Sequence, residues 1–221
     1  MKKKLVIFGA GDIAELAHYY FSTDSDYEVV GFSVDKDYLT DSIFCGLPVV
    51  SFQEITTHYP PSQYELFIAL SYSKINELRK EKYIAAKAVG YRLASYISSY
   101  ATVLNNNNIG DNCFIFEDNT IQPFVSIGNN VTLWSGNHIG HHSTIADHCF
   151  IASHVVVSGG VKIGEQCFIG VNATLRDHIT IGEKCIIGAG VLLLADAQPE
   201  GLYVGSATER SNLPSTKLKR I

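Results

Sequence analysis

The sequence has no run of basic residues before its last few positions, and its formal net charge is −5. That argues against the phosphate-neutralising groove on which nucleic-acid binding depends, so no nucleic-acid partner is expected. It also lacks any apolar run near the roughly 20 residues needed to span a bilayer, so no membrane insertion is expected. Met1 to Lys4 lead directly into a strand pattern and not into a signal peptide, which is the pattern of a soluble, cytoplasmic protein. Through most of its second half the chain lacks the ordinary periods as well: neither 3.6 nor 2 describes how its apolar residues recur.

What recurs there is a period of six. From Ile109 to Leu193 an aliphatic residue returns at every sixth position, fifteen times without a miss. Glycine often follows it, as at Gly110, Gly128, Gly140 and Gly164, which suggests a small residue where the backbone turns a corner. Four positions after the aliphatic residue the chain is again mostly small or apolar, as at Cys113, Val125 and Val131. Two inward positions per hexad, short strands and tight corners describe a parallel β-helix, in which each rung buries its interior only against its neighbours.

These hexads resemble the hexapeptide-repeat, left-handed β-helix acyltransferases, whose triangular coil takes three hexads, or eighteen residues. In that frame Cys149, Cys167 and Cys185 are one coil apart and Cys113 lies two coils before Cys149. They form one inward column with neighbours about 4.8 Å apart, the strand spacing. Small buried thiols filling a core is the favoured reading over disulfides, given a reducing compartment.

The first half reads differently. Lys3 to Phe8 form a strand pattern, followed by Gly9-Ala10-Gly11-Asp12-Ile13-Ala14 and a helical pattern to about Phe21. A glycine turn between strand and helix lets a phosphate approach backbone at a helix N-terminus. A second strand, Glu28 to Val34, ends at Asp35, placed like the acid that meets a ribose hydroxyl in nucleotide folds. A third, Tyr64 to Leu70, opens into Ser71 and a helix to about Val89, and Arg92 to Ile97 form a possible last strand. The expected architecture is an α/β half-Rossmann (βαβ) domain over residues 1–98, binding a nucleotide sugar, followed by a left-handed parallel β-helix with a C-terminal tail over 99–221.

Both halves together resemble one branch, the sialic acid O-acetyltransferase-like family, which includes N-acetyltransferases of UDP-, GDP- or dTDP-linked 4-amino-4,6-dideoxy sugars. The segments that carry the resemblance are Gly9-Ala10-Gly11, Trp134 to His142, and Ile187-Gly188-Ala189-Gly190. It implies an acetyl-CoA-dependent sugar N-acetyltransferase of glycan biosynthesis that needs no metal, with O-acetylation of a sugar hydroxyl, such as that of sialic acid, as the alternative. It implies a homotrimer in which acetyl-CoA runs along the coils between two subunits. Gly159, Gly170, Val171, Gly188 and Ala189 would bind that cosubstrate, and Gly9, Gly11, Asp12, Asp35 and Ser71 would bind the nucleotide-linked amino sugar. His141 would take a proton from the sugar amine, and Gly159 would donate to the oxyanion.

The chemistry asks for such groups independently, because an amine attacking a thioester must lose a proton and the carbonyl oxygen gains charge. Gly159 lies one coil beyond His141, with no side chain to block a carbonyl. One departure from the family is His142, where an acidic residue often stands; Asn137, Glu117 or Asp118 are candidates to orient His141 instead. His142, His148 and His154 are six apart and so face three sides of the coil. A metal site built on His142 and His178 would need a third histidine at position 183, which is Glu183. A non-enzymatic, nucleotide-binding scaffold is the remaining class. Asp196 to Gly205 resemble the loop and return strand that close such a helix, and Lys217, Lys219 and Arg220 form a basic tail.

Overall fold

The computed structural model describes residues 2–104, 108–210 and 212–217, so Lys219 and Arg220 lie outside the described residues. The N-terminal unit runs β1 (Lys3–Phe8), α1 (Asp12–Thr23), β2 (Tyr27–Val34), β3 (Ile43–Phe44), β4 (Leu47–Ser51), α2 (Ile55–His58), β5 (Glu65–Ile68) and α3 (Glu77–Ala88). Its sheet has the order β3-β4-β2-β1-β5, parallel except for the β3–β4 pair. β1 is central and buried on both faces, which is why Leu5, Val6, Ile7 and Phe8 form an unbroken apolar run. The α1 stripe of Ala14, Ala17 and Phe21 covers one face of the sheet, and Ala86 of α3 packs on the other.

Two-residue strands follow, stacked in register eighteen residues apart, or sixteen at the closing pair of Ile186–Ile187 with Leu202–Tyr203, on three faces of a left-handed parallel β-helix. The first face runs from Tyr96–Ile97 to Leu202–Tyr203, the second from Thr102–Val103 to Leu192–Leu193, and the third from Ser126–Ile127 to Thr180–Ile181. The hexad aliphatics and the residues four positions later fill the interior. Two interior positions the pattern passed over, Asn119 and Asn137, are buried amides that donate to corner carbonyls: Asn119 to Phe116 and Trp134, Asn137 to Trp134. The Asp196 to Gly205 segment does close the helix, with Ala197 bridging Ile181 and Leu202–Tyr203 pairing with Ile186–Ile187.

Two expectations change. The Arg92 to Ile97 stretch is not one strand of the N-terminal sheet: Leu93 bridges Leu66, while Tyr96–Ile97 pairs with Phe114–Ile115 as the first rung of the helix. The two units therefore meet without a linker. The glycine after each aliphatic residue is also not the corner. The left-handed corner residue comes two positions later, as at Asn112, His142, Asn172 and Lys184. Glycine is needed before it because the next coil passes so close: a Cβ on Gly140 would stand 2.6 Å from the amide nitrogen of Gly159.

The N-terminal unit sits on the first face. Phe67 meets Phe114 at 5.1 Å, Tyr20 meets Phe116 at 5.0 Å, and Tyr72 meets Phe150 at 5.0 Å between ring centroids. Arg79 of α3 is wholly buried at this junction. Its guanidinium donates to the carbonyl of Asn130, to the carbonyls of His148 and Cys149 at 3.1 Å each, and to Asn76 Oδ1 at 3.0 Å. Burial lowers its pKa to about 10, which leaves it charged at neutral pH.

The cysteine column exists as expected, with Cys113, Cys149, Cys167 and Cys185 buried and free. Each thiol donates to a main-chain carbonyl on the next coil; Cys149 reaches Gly164 O and Cys167 reaches Gly182 O, both at 3.0 Å. Burial raises the Cys113 pKa to about 12, so this thiol does not supply a thiolate at neutral pH. A thiol titration of the native protein is expected to find Cys45 alone, the exposed cysteine, and all five after denaturation. Rapid native labelling of a second cysteine would contradict a closed coil interior.

Candidate active site

His141 stands on the corner between the second and third faces, just after the strand His138–Ile139. Its backbone N–H donates to Gln122 Oε1, one coil below, at 2.9 Å. Its imidazole rests on Gly159 in the coil above: a Cβ built there would meet Cε1 at 2.6 Å and Nε2 at 2.8 Å. The Nε2 edge of the ring thus faces Gly159.

Among the described residues nothing accepts the Gly159 N–H. The reason is local. Gln122 caps the amide above it with its side chain, but Gly140 occupies the equivalent place under Gly159 and has none. A solvent-facing imidazole nitrogen and an unpartnered amide therefore share one corner. Such a pair can accept a proton from a nucleophile and donate to an oxygen that is gaining charge.

The structure rejects the proposed orienting groups. Asn137 is inside the coil, where it accepts from the Val155 N–H at 2.8 Å. Glu117 faces the N-terminal unit and accepts from Tyr20 Oη at 2.9 Å and Ser135 Oγ at 2.6 Å. Burial works to raise its pKa, but these hydroxyls hold it below the usual carboxylate range. Among the described residues no hydrogen bond or ion pair joins Asp118 to His141. The partner of His141 Nδ1 is Nδ1 of His142, 3.0 Å away.

The other predicted site residues occupy two further places. Gly170, Val171, Gly188 and Ala189 line the corner between the first and second faces, higher up the same prism but on a different edge from Gly159. Gly9 and Asp35 line a cavity of about 550 Å³ at the carboxyl ends of β1 and β2, with Tyr38, Phe44, Leu70 and Lys82. Gly9, at φ 127°, is required by the fold, since a Cβ would stand 2.7 Å from Ala69 O. Gly11 caps α1 beside open space. Asp12 begins α1, and Ser71 lies beyond β5 with its hydroxyl 3.4 Å from that of Ser73; neither lines the cavity.

Sequence reasoning missed Lys82, whose Nζ lies 2.6 Å from Asp35 Oδ1 and packs over the rings of Phe8 and Phe52. Only the seating of α3 against the strand ends brings two residues forty-seven apart together. The three histidines six apart do face different edges, and no group of three or more potential metal ligands occurs among the described residues.

Residues 124–159 and 160–195 each match the model of the bacterial transferase hexapeptide (six repeats). The fold also superposes almost end to end on the acetyltransferase domain of PglB from Neisseria gonorrhoeae FA1090. That match has a TM-score of 0.81 at 25% identity, covering 92% of this chain and 97% of the other. The coil of this chain thus matches the hexapeptide transferase model over 72 residues, and its whole fold is that of the PglB acetyltransferase domain. A structure of the same PglB domain in complex with acetyl coenzyme A matches with a TM-score of 0.63 at 23% identity, over 93% and 97% of the two chains. A mutant perosamine N-acetyltransferase from Caulobacter crescentus, in complex with CoA and GDP-perosamine, matches with a TM-score of 0.79 at 24% identity, over 91% and 93%. At these lower identities the likeness speaks for the fold. No curated protein sequence matches this one.

Gly159→Ala tests the corner. The new methyl should displace the His141 ring and shift its NMR resonances, while stability changes by no more than about 0.5 kcal/mol because the position is half-exposed. Unmoved ring resonances would show that the imidazole does not rest on this glycine.

Proposed function

We propose that the protein is an acetyl-CoA-dependent N-acetyltransferase that acts on the amine of a nucleotide-linked amino-deoxy sugar, a 4-amino-4,6-dideoxy sugar, for surface glycan biosynthesis. The observation that carries this reading is the His141 Nε2 edge lying against Gly159, whose N–H has no partner among the described residues. The likeness to a PglB domain that binds acetyl coenzyme A and to an enzyme that binds CoA and GDP-perosamine supports it.

His141 Nε2 takes the proton of the attacking amine as the new C–N bond forms. The Gly159 N–H donates to the carbonyl oxygen as it gains charge, and the C–S bond then breaks with direct transfer and no acyl-enzyme. The cavity beside Gly9, Asp35 and Lys82 holds the nucleotide, with the open approach at Gly11 and the α1 N-terminus receiving phosphate. Asp12 and Ser71, outside that cavity, would act at its phosphate and sugar side.

One protomer does not bring these parts together. The N-terminal unit covers the first face, while His141 and Gly159 lie on the opposite edge of the prism. Gly170, Val171, Gly188 and Ala189 lie on a third location, and a groove for acetyl-CoA needs two walls. A homotrimer that sets the His141 edge of one subunit against the nucleotide cavity and the Gly170–Ala189 edge of the next completes the site.

His141→Ala is expected to lower kcat by roughly 10²–10⁴ with little change in the acetyl-CoA KM. With an amine acceptor the loss should shrink as pH rises and the amine deprotonates itself; a hydroxyl acceptor would show no such recovery, which separates N- from O-acetylation. Near-normal turnover by His141→Ala would refute the base assignment.

Gly11→Val should raise the KM for the nucleotide-linked acceptor and leave that for acetyl-CoA unchanged. Mixed trimers of His141→Ala and Gly11→Val protomers should regain activity, because some interfaces then join an intact base to an intact cavity. Failure of mixing to restore any turnover would place both groups in one subunit.

A further inference from the structure

The corner that carries His141 contains one group the reading above does not use. His142 has a left-handed backbone, φ 59°, and its ring lies against Phe124 at 4.7 Å with 36° between the planes. Its Nδ1 is 3.0 Å from Nδ1 of His141, and the two rings are nearly perpendicular, at 85°. Two facing imidazole nitrogens hold one proton between them, so one ring donates and the other accepts.

Which ring donates decides whether His141 can act. If His142 donates from Nδ1, His141 accepts there, carries its own proton on Nε2, and has no lone pair facing Gly159. If His141 donates from Nδ1, its Nε2 is bare and His142 carries its proton on Nε2, towards solvent. Resting on the assignment of His141 as general base, we propose that His142 is its positioning residue. Its Nδ1 accepts the Nδ1–H of His141 and so keeps Nε2 deprotonated beneath Gly159.

This arrangement differs in charge from a histidine backed by a carboxylate. His142 is a neutral acceptor, fixing ring and tautomer without drawing positive charge onto His141. A proton taken up at His142 Nδ1 turns the bond around and moves the His141 proton to Nε2, and a proton taken up at His141 Nε2 occupies the base directly. One proton on either ring stops the reaction.

No other charged group at this corner enters the bond. His138 precedes it on the second face without contacting either ring. Asp177 and His178 lie two coils above His141 and His142, about 9.6 Å at the strand spacing, and are 4.0 Å from each other. Pro123 and Phe124 below, and Gly159 and Gly160 above, carry no charge.

The test compares two replacements of His142 in the full-length protein, with acetyl-CoA and an amino-sugar nucleotide acceptor. Phe124 adopts the same backbone conformation one coil below, at φ 66°, so His142→Phe keeps the stacking and loses only the acceptor. It should lower kcat roughly 10- to 100-fold, part of the 10²–10⁴ that a whole base is worth, with the acetyl-CoA KM and the melting temperature unchanged. His142→Asp places a carboxylate oxygen where Nδ1 stood, in a residue type that tolerates left-handed backbone. It should recover most of kcat and move the acid limb of its pH profile up by about one unit, because an anion favours the imidazolium.

A kcat within about twofold of wild type for His142→Phe, or a loss in His142→Asp as large as in His142→Phe, would overturn the positioning role. His141→Ala, measured alongside, separates the two ideas. If it loses turnover while His142→Phe does not, the base stands and only the positioning role falls. If it keeps turnover, the base assignment fails and takes the positioning role with it.

Discussion

Every feature of the coil follows from one constraint, the close vertical approach of residues eighteen apart. Adjacent rungs are held at strand spacing, about 4.8 Å, so each position is answerable to the residue directly above and below it. Where the backbone of the next coil crosses, only a small residue fits, as Gly140 does under Gly159. The same spacing lets four thiols hand hydrogen bonds up their column to main-chain carbonyls and holds the Cε1–Nε2 edge of the His141 ring against a glycine. An exposed amide and an imidazole become neighbours through the pitch of the helix, without any loop having to be trained into place.

The second determinant is Arg79, a cation buried among carbonyl and amide oxygens with no carboxylate beside it. A charge removed from water needs partners; both terminal nitrogens of Arg79 have them while its buried Nε has none among the described residues, and removing those partners would cost on the order of several kcal/mol. Most of those partners are main-chain carbonyls at Asn130, His148 and Cys149, so the guanidinium recognises the helix corner by its backbone. With Tyr20, Phe67 and Tyr72 packed on Phe114, Phe116 and Phe150, it fixes the N-terminal unit to the first face. That docking leaves the cavity lined by Gly9, Asp35 and Lys82 beside the first face, across the prism from the edge that bears His141.

At the corner itself the electrostatics are sparse. His141 has an imidazole neighbour at Nδ1, its own backbone amide capped by Gln122 below and a glycine above. The acids that sequence spacing offered are turned elsewhere, Glu117 towards Tyr20 and Ser135, and the amide of Asn137 into the core.

The sequence by itself determined the helix, because a six-residue period survives only if every coil repeats the same inward positions, and any slip would put an aliphatic residue in water. It likewise determined that Cys113, Cys149, Cys167 and Cys185 share a column and that Gly159 lies over His141, since both are arithmetic on eighteen. The glycine turn and Asp35 were legible as a strand–turn–helix unit for the same reason: they are local. The tertiary structure alone decided what depends on contacts between distant segments. It joined Lys82 to Asp35, assigned Tyr96–Ile97 to the first rung and buried Asn137. It also set His142 Nδ1 against His141 Nδ1, which no spacing encodes, because the choice rests on a left-handed corner and a ring packed on Phe124 one coil away.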